Sequence, residues 1–186
     1  MASPTTYLYS IIKVIYAKMF TFTDHYDSLI GVERQYPRPS IKDAVYSIFE
    51  NPSHIIDNIY LGNAYNAANY EILKEMDIDC IINITNNIPN YYEDYFEYIT
   101  YRIKDNNHHS IKEFLIDSFN FINRNKNKKI LVHCYAGSSR SASIVLYYLI
   151  KNYNMTFDDA NTFLKEKRSI VNINTTFIKD IKELTT

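Results

Sequence analysis

Apolar and polar positions along this chain switch repeatedly between a helical period and a strand-like one, and the switches mark out its elements. Residues 5–20 place Leu8, Ile11, Ile12, Ile15 and Met19 on one stripe at helical spacing. Residues 21–35 are polar and irregular, and Tyr36-Pro37-Arg38-Pro39 breaks regular structure. Ser40 with Asp43 reads as an N-cap pair opening a short helix over residues 41–50, with Pro52 just past its end. Residues 55–63 form a strand-like run closed by Gly62 and Asn63. Residues 64–77 follow as a helix with Ala68, Ile72, Leu73 and Met76 inward. A buried strand is expected over 80–85, a tyrosine- and acid-rich loop over 90–98, and an alternating strand over 99–103. A polar loop (105–110) leads to an amphipathic helix over 111–123, carrying Phe114, Leu115, Phe119 and Ile122. Ile130, Leu131 and Val132 read as a buried parallel strand. Residues 141–150 are apolar nearly all round, as in a buried helix. Thr156, with Asp159 completing a capping box, opens a helix to about Lys167, and residues 175–184 form the last one. Strands alternating with helices predict an α/β fold, a central mostly parallel sheet flanked by helices. The expected division is an N-terminal helical extension, residues 1–52, and a core domain, residues 53–186.

Composition narrows the function classes. The 186 residues are 46% hydrophobic and 22% charged, ordinary for a globular chain, and long enough to bury a sizeable core. A net charge of −1 leaves no electrostatic footprint for nucleic acid or an anionic membrane. The apolar run at residues 7–22 is interrupted by Lys13 and Lys18 and falls short of the ~20 apolar residues of a membrane span. It also lacks the basic start of a signal peptide. Two cysteines argue against a disulfide scaffold and for a reducing, cytoplasmic compartment. The chain has 18 Tyr, 3 Gly and no Trp, and is rich in Asn, Ile and Lys. That bias favours AT-rich codons, and predicts an AT-rich genome such as that of a protist or of a large DNA virus acting in host cytoplasm.

The candidate chemistry lies in residues 130–150, where strand, tight loop and helix follow one another. That order aims backbone N–H groups and a helix N-terminus at one point, which attracts a dianion. Cys134 stands at the start of the loop. A thiol of pKa roughly 8.5 can be lowered to ~3.5–7.5 by a helix N-terminus and nearby cations, and the thiolate is the nucleophile. Arg140 offers a planar fork for two phosphate oxygens. Gly137 permits a backbone geometry that a side chain would block. Ser141 can set a hydroxyl beside the sulfur and help the thiolate leave when a covalent intermediate breaks down.

The string His133-Cys134-x5-Arg140-Ser141 resembles the signature of the cysteine-based protein tyrosine phosphatases. The fuller run His-Cys-Tyr-Ala-Gly-Ser-Ser-Arg-Ser-Ala-Ser is most similar to the dual-specificity branch. Ile59-Tyr60-Leu61-Gly62 resembles that branch's first core strand, and residues 80–85 its segment ending Asn-Val-Thr. The resemblance spans about residues 55–184. It implies a phosphatase acting on phosphotyrosine and phosphoserine/threonine through a phosphocysteine, with no metal or other cofactor. Cys134 would attack, and the loop amides of Tyr135, Ala136, Gly137, Ser138, Ser139 and Arg140 would hold the phosphoryl oxygens. Asp105, in Ile103-Lys104-Asp105-x5-Ile111, matches the family's general acid, with Asp94 and Glu97 as competitors. His133 would be a supporting donor, or else a second base. Asn174 matches the family's Pro-Asn segment, with Ile173 in place of the proline. His108 and His109 are adjacent loop residues with no spacing that completes a metal site. Cys80 reads as a core residue, or alternatively as a cysteine that captures oxidised Cys134.

The implied partner is a phosphorylated protein. Phosphoinositides, RNA 5′-triphosphate and a non-catalytic phosphate-binding role are the alternatives. The neutral residues between Cys134 and Arg140 favour phosphoprotein, and the compact loops predict a shallow pocket open to both kinds of phosphoester. The N-terminal stripe has three readings: packing on its own core, exchange with a second copy to form a homodimer, or lying on a membrane, which its low basic content disfavours. Exchange predicts a doubled mass in light scattering; a monomer at every concentration would rule it out.

Overall fold

The computed structural model describes residues 50–106 and 108–186. The helices expected over 5–20 and 41–50 lie outside the described residues. Among the described residues, five strands form one sheet in the order β1-β2-β5-β3-β4: β1 (Ser53–Ile56), β2 (Ile59–Gly62), β3 (Cys80–Ile84), β4 (Glu97–Tyr101) and β5 (Ile130–His133). β2, β5, β3 and β4 run parallel, and β1 is antiparallel to β2 at the edge. β3 and β5 are buried along their whole length. That is why they read as unbroken apolar runs rather than alternating ones.

Among the described residues, six helices cover the sheet: α1 (Ala64–Ala68), α2 (Tyr70–Glu75), α3 (Lys112–Arg124), α4 (Arg140–Tyr153), α5 (Phe157–Lys167) and α6 (Thr175–Thr185). Alternate residues of each strand face opposite layers. Leu61, Ile82 and Val132 belong to the larger cluster, with Leu115, Leu146, Leu164 and Phe177 from α3, α4, α5 and α6. Ile81 and Leu131 face a smaller cluster with Ala67, Leu73 and Phe96. Residues 141–150 of α4 are all buried, as their all-round apolar pattern predicts.

Three elements differ from the sequence expectation, each for a local reason. The run 55–63 is a hairpin, not one strand. Asp57 turns the chain at φ 44°, a left-handed conformation that Asp tolerates better than most residues. The helix expected over 64–77 is two, because the Asn69 carboxamide accepts from the Ile72 N–H at 3.2 Å and starts a new helix. The rephasing buries Ala67 instead of Ala68. β4 begins at Glu97, two residues earlier than the alternation suggests, because pairing with β3 extends to Glu97 opposite Cys80. It ends at Tyr101, freeing Arg102 and Ile103 for the loop that follows.

The caps are made by small polar side chains. Asn63 and Asn66 form a reciprocal capping box at α1, each side chain accepting the other's N–H at 2.9 Å. Thr156 caps α5 by accepting from the Asp159 N–H, and its hydroxyl donates to the Asp159 carboxylate. The two side chains thus bond each other rather than forming the reciprocal box. Asn154 ends α4 at φ 54°.

Leu131 is fully buried at the sheet centre. Leu131→Ala is expected to lower unfolding free energy by ~2–5 kcal/mol. Urea denaturation checks this: the midpoint should fall at an unchanged slope.

Candidate active site

Every parallel strand delivers its C-terminal end to the same edge of the sheet, and β5 delivers Cys134 there, one residue past His133. The next six residues curl back to α4, which begins at Arg140. Each carbonyl from Tyr135 to Ser139 is held from outside the loop. Tyr135 O accepts from Ala64 N at 3.1 Å, Ser138 O from Asn172 N at 2.9 Å, and Ser139 O from Ser143 N at 2.8 Å. The Arg168 guanidinium supplies the remaining two, Nη2 to Ala136 O at 3.3 Å and Nε to Gly137 O at 3.0 Å. With the carbonyls turned out, the amides turn in, and the Gly137 N–H points at the Cys134 Sγ at 3.2 Å. Gly137 sits at φ 71°, and a Cβ there would meet the Gly62 carbonyl oxygen at 2.5 Å. Only glycine fits that position.

The sulfur is buried with three stabilising partners. Besides the Gly137 amide, the Ser141 hydroxyl donates to Sγ at 3.1 Å. Burial pushes the thiol pKa up, but the Arg140 charge and the Ser141 side-chain and backbone hydrogen bonds outweigh it and hold Cys134 below the ordinary thiol range. A thiolate results. Arg140 is fixed by Nη1 donating to the Ile103 carbonyl at 3.1 Å. Its Nε is buried and, among the described residues, has no hydrogen-bond partner. A buried, unpaired guanidinium N–H next to a thiolate loop suits a phosphate oxygen.

Asp105 meets the loop through Ser139 and lies beside Arg140. Its Oδ1 accepts from Ser139 Oγ at 3.0 Å and from Asn174 Nδ2 at 3.1 Å. Its Oδ2 lies 3.9 Å from Arg140 Nε. Asn174 is the N-cap of α6, where its Oδ1 accepts from Thr176 N and Phe177 N, and its own N–H reaches Ser139 Oγ at 3.2 Å. The match at Asn174 therefore falls on a residue that touches both Asp105 and the loop, without the proline. The far end of the loop that carries Asp105 is tied to the same helix. Asp180 of α6 accepts from Ser110 Oγ at 2.9 Å and from Ile111 N at 2.7 Å.

The competing acids are elsewhere. Glu97 starts β4, beside Cys80 at the opposite end of the sheet, and pairs with Lys128 at 2.7 Å. Asp94 is exposed just ahead of it. The Cys80 alternative is also corrected. Cys80 pairs with Ile130, four residues before Cys134 on β5, about 13 Å away at the strand rise. A disulfide needs Cα atoms within ~7 Å. Cys80 is fully buried, and burial first, then the Glu97 charge, pushes its thiol up to about 12.

His133 is fully buried, and its Nδ1 donates to the Cys134 carbonyl at 3.3 Å. Burial, reinforced by Arg140 and Arg102, pushes its pKa down to about 4, so the ring is neutral. That fits a supporting donor and not a base that meets substrate. His108 and His109 are exposed; His109 Nδ1 and the His108 N–H both meet Asn106 Oδ1. Among the described residues no three metal-ligating side chains cluster.

Two contributors escaped the sequence reading. The sequence points only to the amide of Ser139, yet its hydroxyl joins Asp105 to the loop. Arg168, 3% exposed, holds two loop carbonyls and also donates to Ser53 Oγ at 3.3 Å. Burial lowers its pKa, while the Cys134 and Glu50 charges act to raise it. One signal for it was available: arginine is scarce beside lysine in this chain, so an arginine ending a lysine-rich helix marks a need for a planar fork.

The sequence matches the family described as dual specificity phosphatase, catalytic domain, over residues 59–186. It is 36% identical over 129 residues to human dual specificity protein phosphatase 1, covering 68% of this chain and 35% of that protein. It is 35% identical over 133 residues to protein phosphatase Slingshot of Drosophila melanogaster, covering 70% of this chain and 13% of that protein. The chain thus spans about a third or less of these relatives' length. Among solved structures, the human tyrosine phosphatase-like serine/threonine/tyrosine-interacting protein superposes with a TM-score of 0.70 at 29% identity. The overlap covers 72% of this chain and 95% of that one.

The depressed thiol of Cys134 predicts that alkylation by iodoacetamide stays fast as pH falls below the ordinary thiol range, where an unshifted cysteine would slow in proportion to its thiolate. Cys80 should stay unmodified in the folded protein. Peptide mass mapping across pH checks both; an alkylation profile at Cys134 centred on or above the ordinary thiol pKa would contradict the assignment.

Proposed function

The chain belongs to the dual-specificity phosphatase family, and from that premise we propose that it hydrolyses phosphotyrosine and phosphoserine/threonine in proteins through a phosphocysteine on Cys134. The thiolate attacks phosphorus, forming the S–P bond as the P–O bond to the substrate breaks. Arg140 and the amides from Tyr135 to Arg140 hold the phosphoryl oxygens, and their effect is strongest on transition-state charge. Asp105 gives its proton to the leaving oxygen. In the second step Asp105 takes a proton from water, the water oxygen attacks phosphorus, and the Ser141 hydroxyl stabilises the departing thiolate. Nucleophile, clamp and acid all come from side chains and backbone, so no step calls on a metal.

One observation carries this reading. A sulfur bonded by the Gly137 N–H and the Ser141 hydroxyl faces a carboxylate held 3.9 Å from the clamping arginine. A protein that only bound phosphate would need neither the thiolate nor the acid. Phosphoprotein is favoured over phosphoinositide or triphosphorylated RNA because the loop residues between Cys134 and Arg140 are uncharged, whereas those ligands bring extra charge to neutralise. The free thiols Cys80 and Cys134 support a reducing, cytoplasmic setting.

Phosphate release from matched phosphotyrosine and phosphothreonine peptides, with chelator present, is the test. Wild type should release phosphate from both and Cys134→Ser from neither. Asp105→Asn should lower turnover ~10²–10⁴-fold while leaving KM close to the wild-type value. Full activity in Asp105→Asn would remove Asp105 from the acid's role.

A further inference from the structure

A peptide unit is planar and trans, so holding its carbonyl on one side aims its N–H at the other. This geometry ties Arg168 to two amides of the Cys134 loop. Arg168 Nη2 donates to Ala136 O at 3.3 Å, and the same peptide unit carries the Gly137 N–H, which meets Cys134 Sγ at 3.2 Å. Arg168 Nε donates to Gly137 O at 3.0 Å, and that unit carries the Ser138 N–H. Both holds come from one edge of one planar group, so the two units are fixed relative to each other. On its other side the fork is anchored to the sheet, where Nη1 donates to Ser53 Oγ of β1 at 3.3 Å. The packing is close: a Cβ on Gly137 would meet Arg168 Nη2 at 2.8 Å. The next unit of the loop has its own ties, because Ser138 Oγ donates to Ile170 O at 2.7 Å and Asn172 N to Ser138 O at 2.9 Å. The share of the fork is therefore the two units before it.

We propose that Arg168 is a positioning residue for the reaction, whose fork sets the two peptide planes that aim the Gly137 N–H at the sulfur and the Ser138 N–H at the phosphoryl group. Without the fork, the Ala136–Gly137 unit loses the donors that keep its carbonyl out. Its rotation would replace an N–H beside the sulfur by a carbonyl oxygen, which disfavours the thiolate. Arg168 also bears on the sulfur by charge alone, since the Cys134 charge acts to raise the Arg168 pKa. The two routes are separable, because lysine keeps the charge and lacks the planar edge that holds two carbonyls at once.

This inference rests on the phosphatase reading, and alkylation keeps the two apart because it needs no turnover. Arg168→Lys and Arg168→Gln are compared with wild type and with Leu131→Ala, which loses stability from the core alone, all well below their melting temperatures. The pH midpoint of Cys134 alkylation by iodoacetamide should rise by roughly one unit in both Arg168 variants, the size of one hydrogen bond to a charged group. It should stay at the wild-type value in Leu131→Ala. Turnover of a phosphotyrosine peptide should fall ~10²–10³-fold in both Arg168 variants, with kcat losing more than KM rises, because loop amides act most strongly in the transition state. The Gly137 amide proton resonance should move upfield in either variant as its bond to the sulfur is lost, and this signal decides the matter if only one variant folds. A wild-type midpoint in Arg168→Lys would assign the effect to charge and overturn the role of the fork. An unmoved Gly137 resonance, or an equal midpoint shift in Leu131→Ala, would overturn it as well. A wild-type protein that releases no phosphate, while the midpoint and the Gly137 resonance still move in the Arg168 variants, would overturn the phosphatase reading and leave the positioning of the loop standing.

Discussion

Everything at this site depends on turning five consecutive carbonyls outward. A loop of seven residues that presents its amides to one point must hide the opposite ends of the same peptide groups, and buried carbonyls need donors. The chain supplies them from four directions: the start of α1, the first turn of α4, the segment before α6, and the Arg168 fork at the end of α5. The rest of the fold can be read as the frame that brings those donors together. β2 ends beside β5, so Ala64 reaches Tyr135, and the close approach of the Gly62 carbonyl excludes any side chain at Gly137.

The same convergence explains how a buried thiol is held below its ordinary pKa range. Burial alone would keep Cys134 protonated, as it does for Cys80 in the same sheet. The two thiols share apolar surroundings and differ in what else touches them. Cys80 has a carboxylate, Glu97, at 3.8 Å, while Cys134 has an amide at 3.2 Å, a hydroxyl at 3.1 Å and the nearby Arg140. Position at the C-terminal end of a parallel strand, rather than residue type, sets the two thiols apart. Two arginines stand by the loop in different capacities. Arg168 spends its donors on carbonyls, and Arg140 keeps a buried Nε turned to the site.

Much of this was legible in the sequence because it is local. The apolar run before Cys134, the glycine three residues after it and the all-apolar helix behind Arg140 lie within one stretch, and periodicity finds such features readily. Asp105 and Asn174 could be named only through resemblance, since each acts across a separation of tens of residues that no local pattern records. The same distance hid Ser139 and Arg168. Their roles are hydrogen bonds to partners 34 and 32 residues away. The misplaced boundaries have a different cause. A left-handed Asp57 and a capping Asn69 break elements without interrupting the apolar pattern, and the first rungs of β4 are polar because they sit at the exposed end of the sheet.

The account's central claim is that Cys134 becomes covalently bonded to phosphorus during turnover. Acid quenching of the protein within milliseconds of mixing with a phosphopeptide, followed by peptide mapping, tests it directly. One phosphoryl group on the peptide carrying Cys134, appearing and then decaying as phosphate is released, is the predicted result. Steady phosphate release with Cys134 unmodified at every time point, or with the label on another residue, would contradict it.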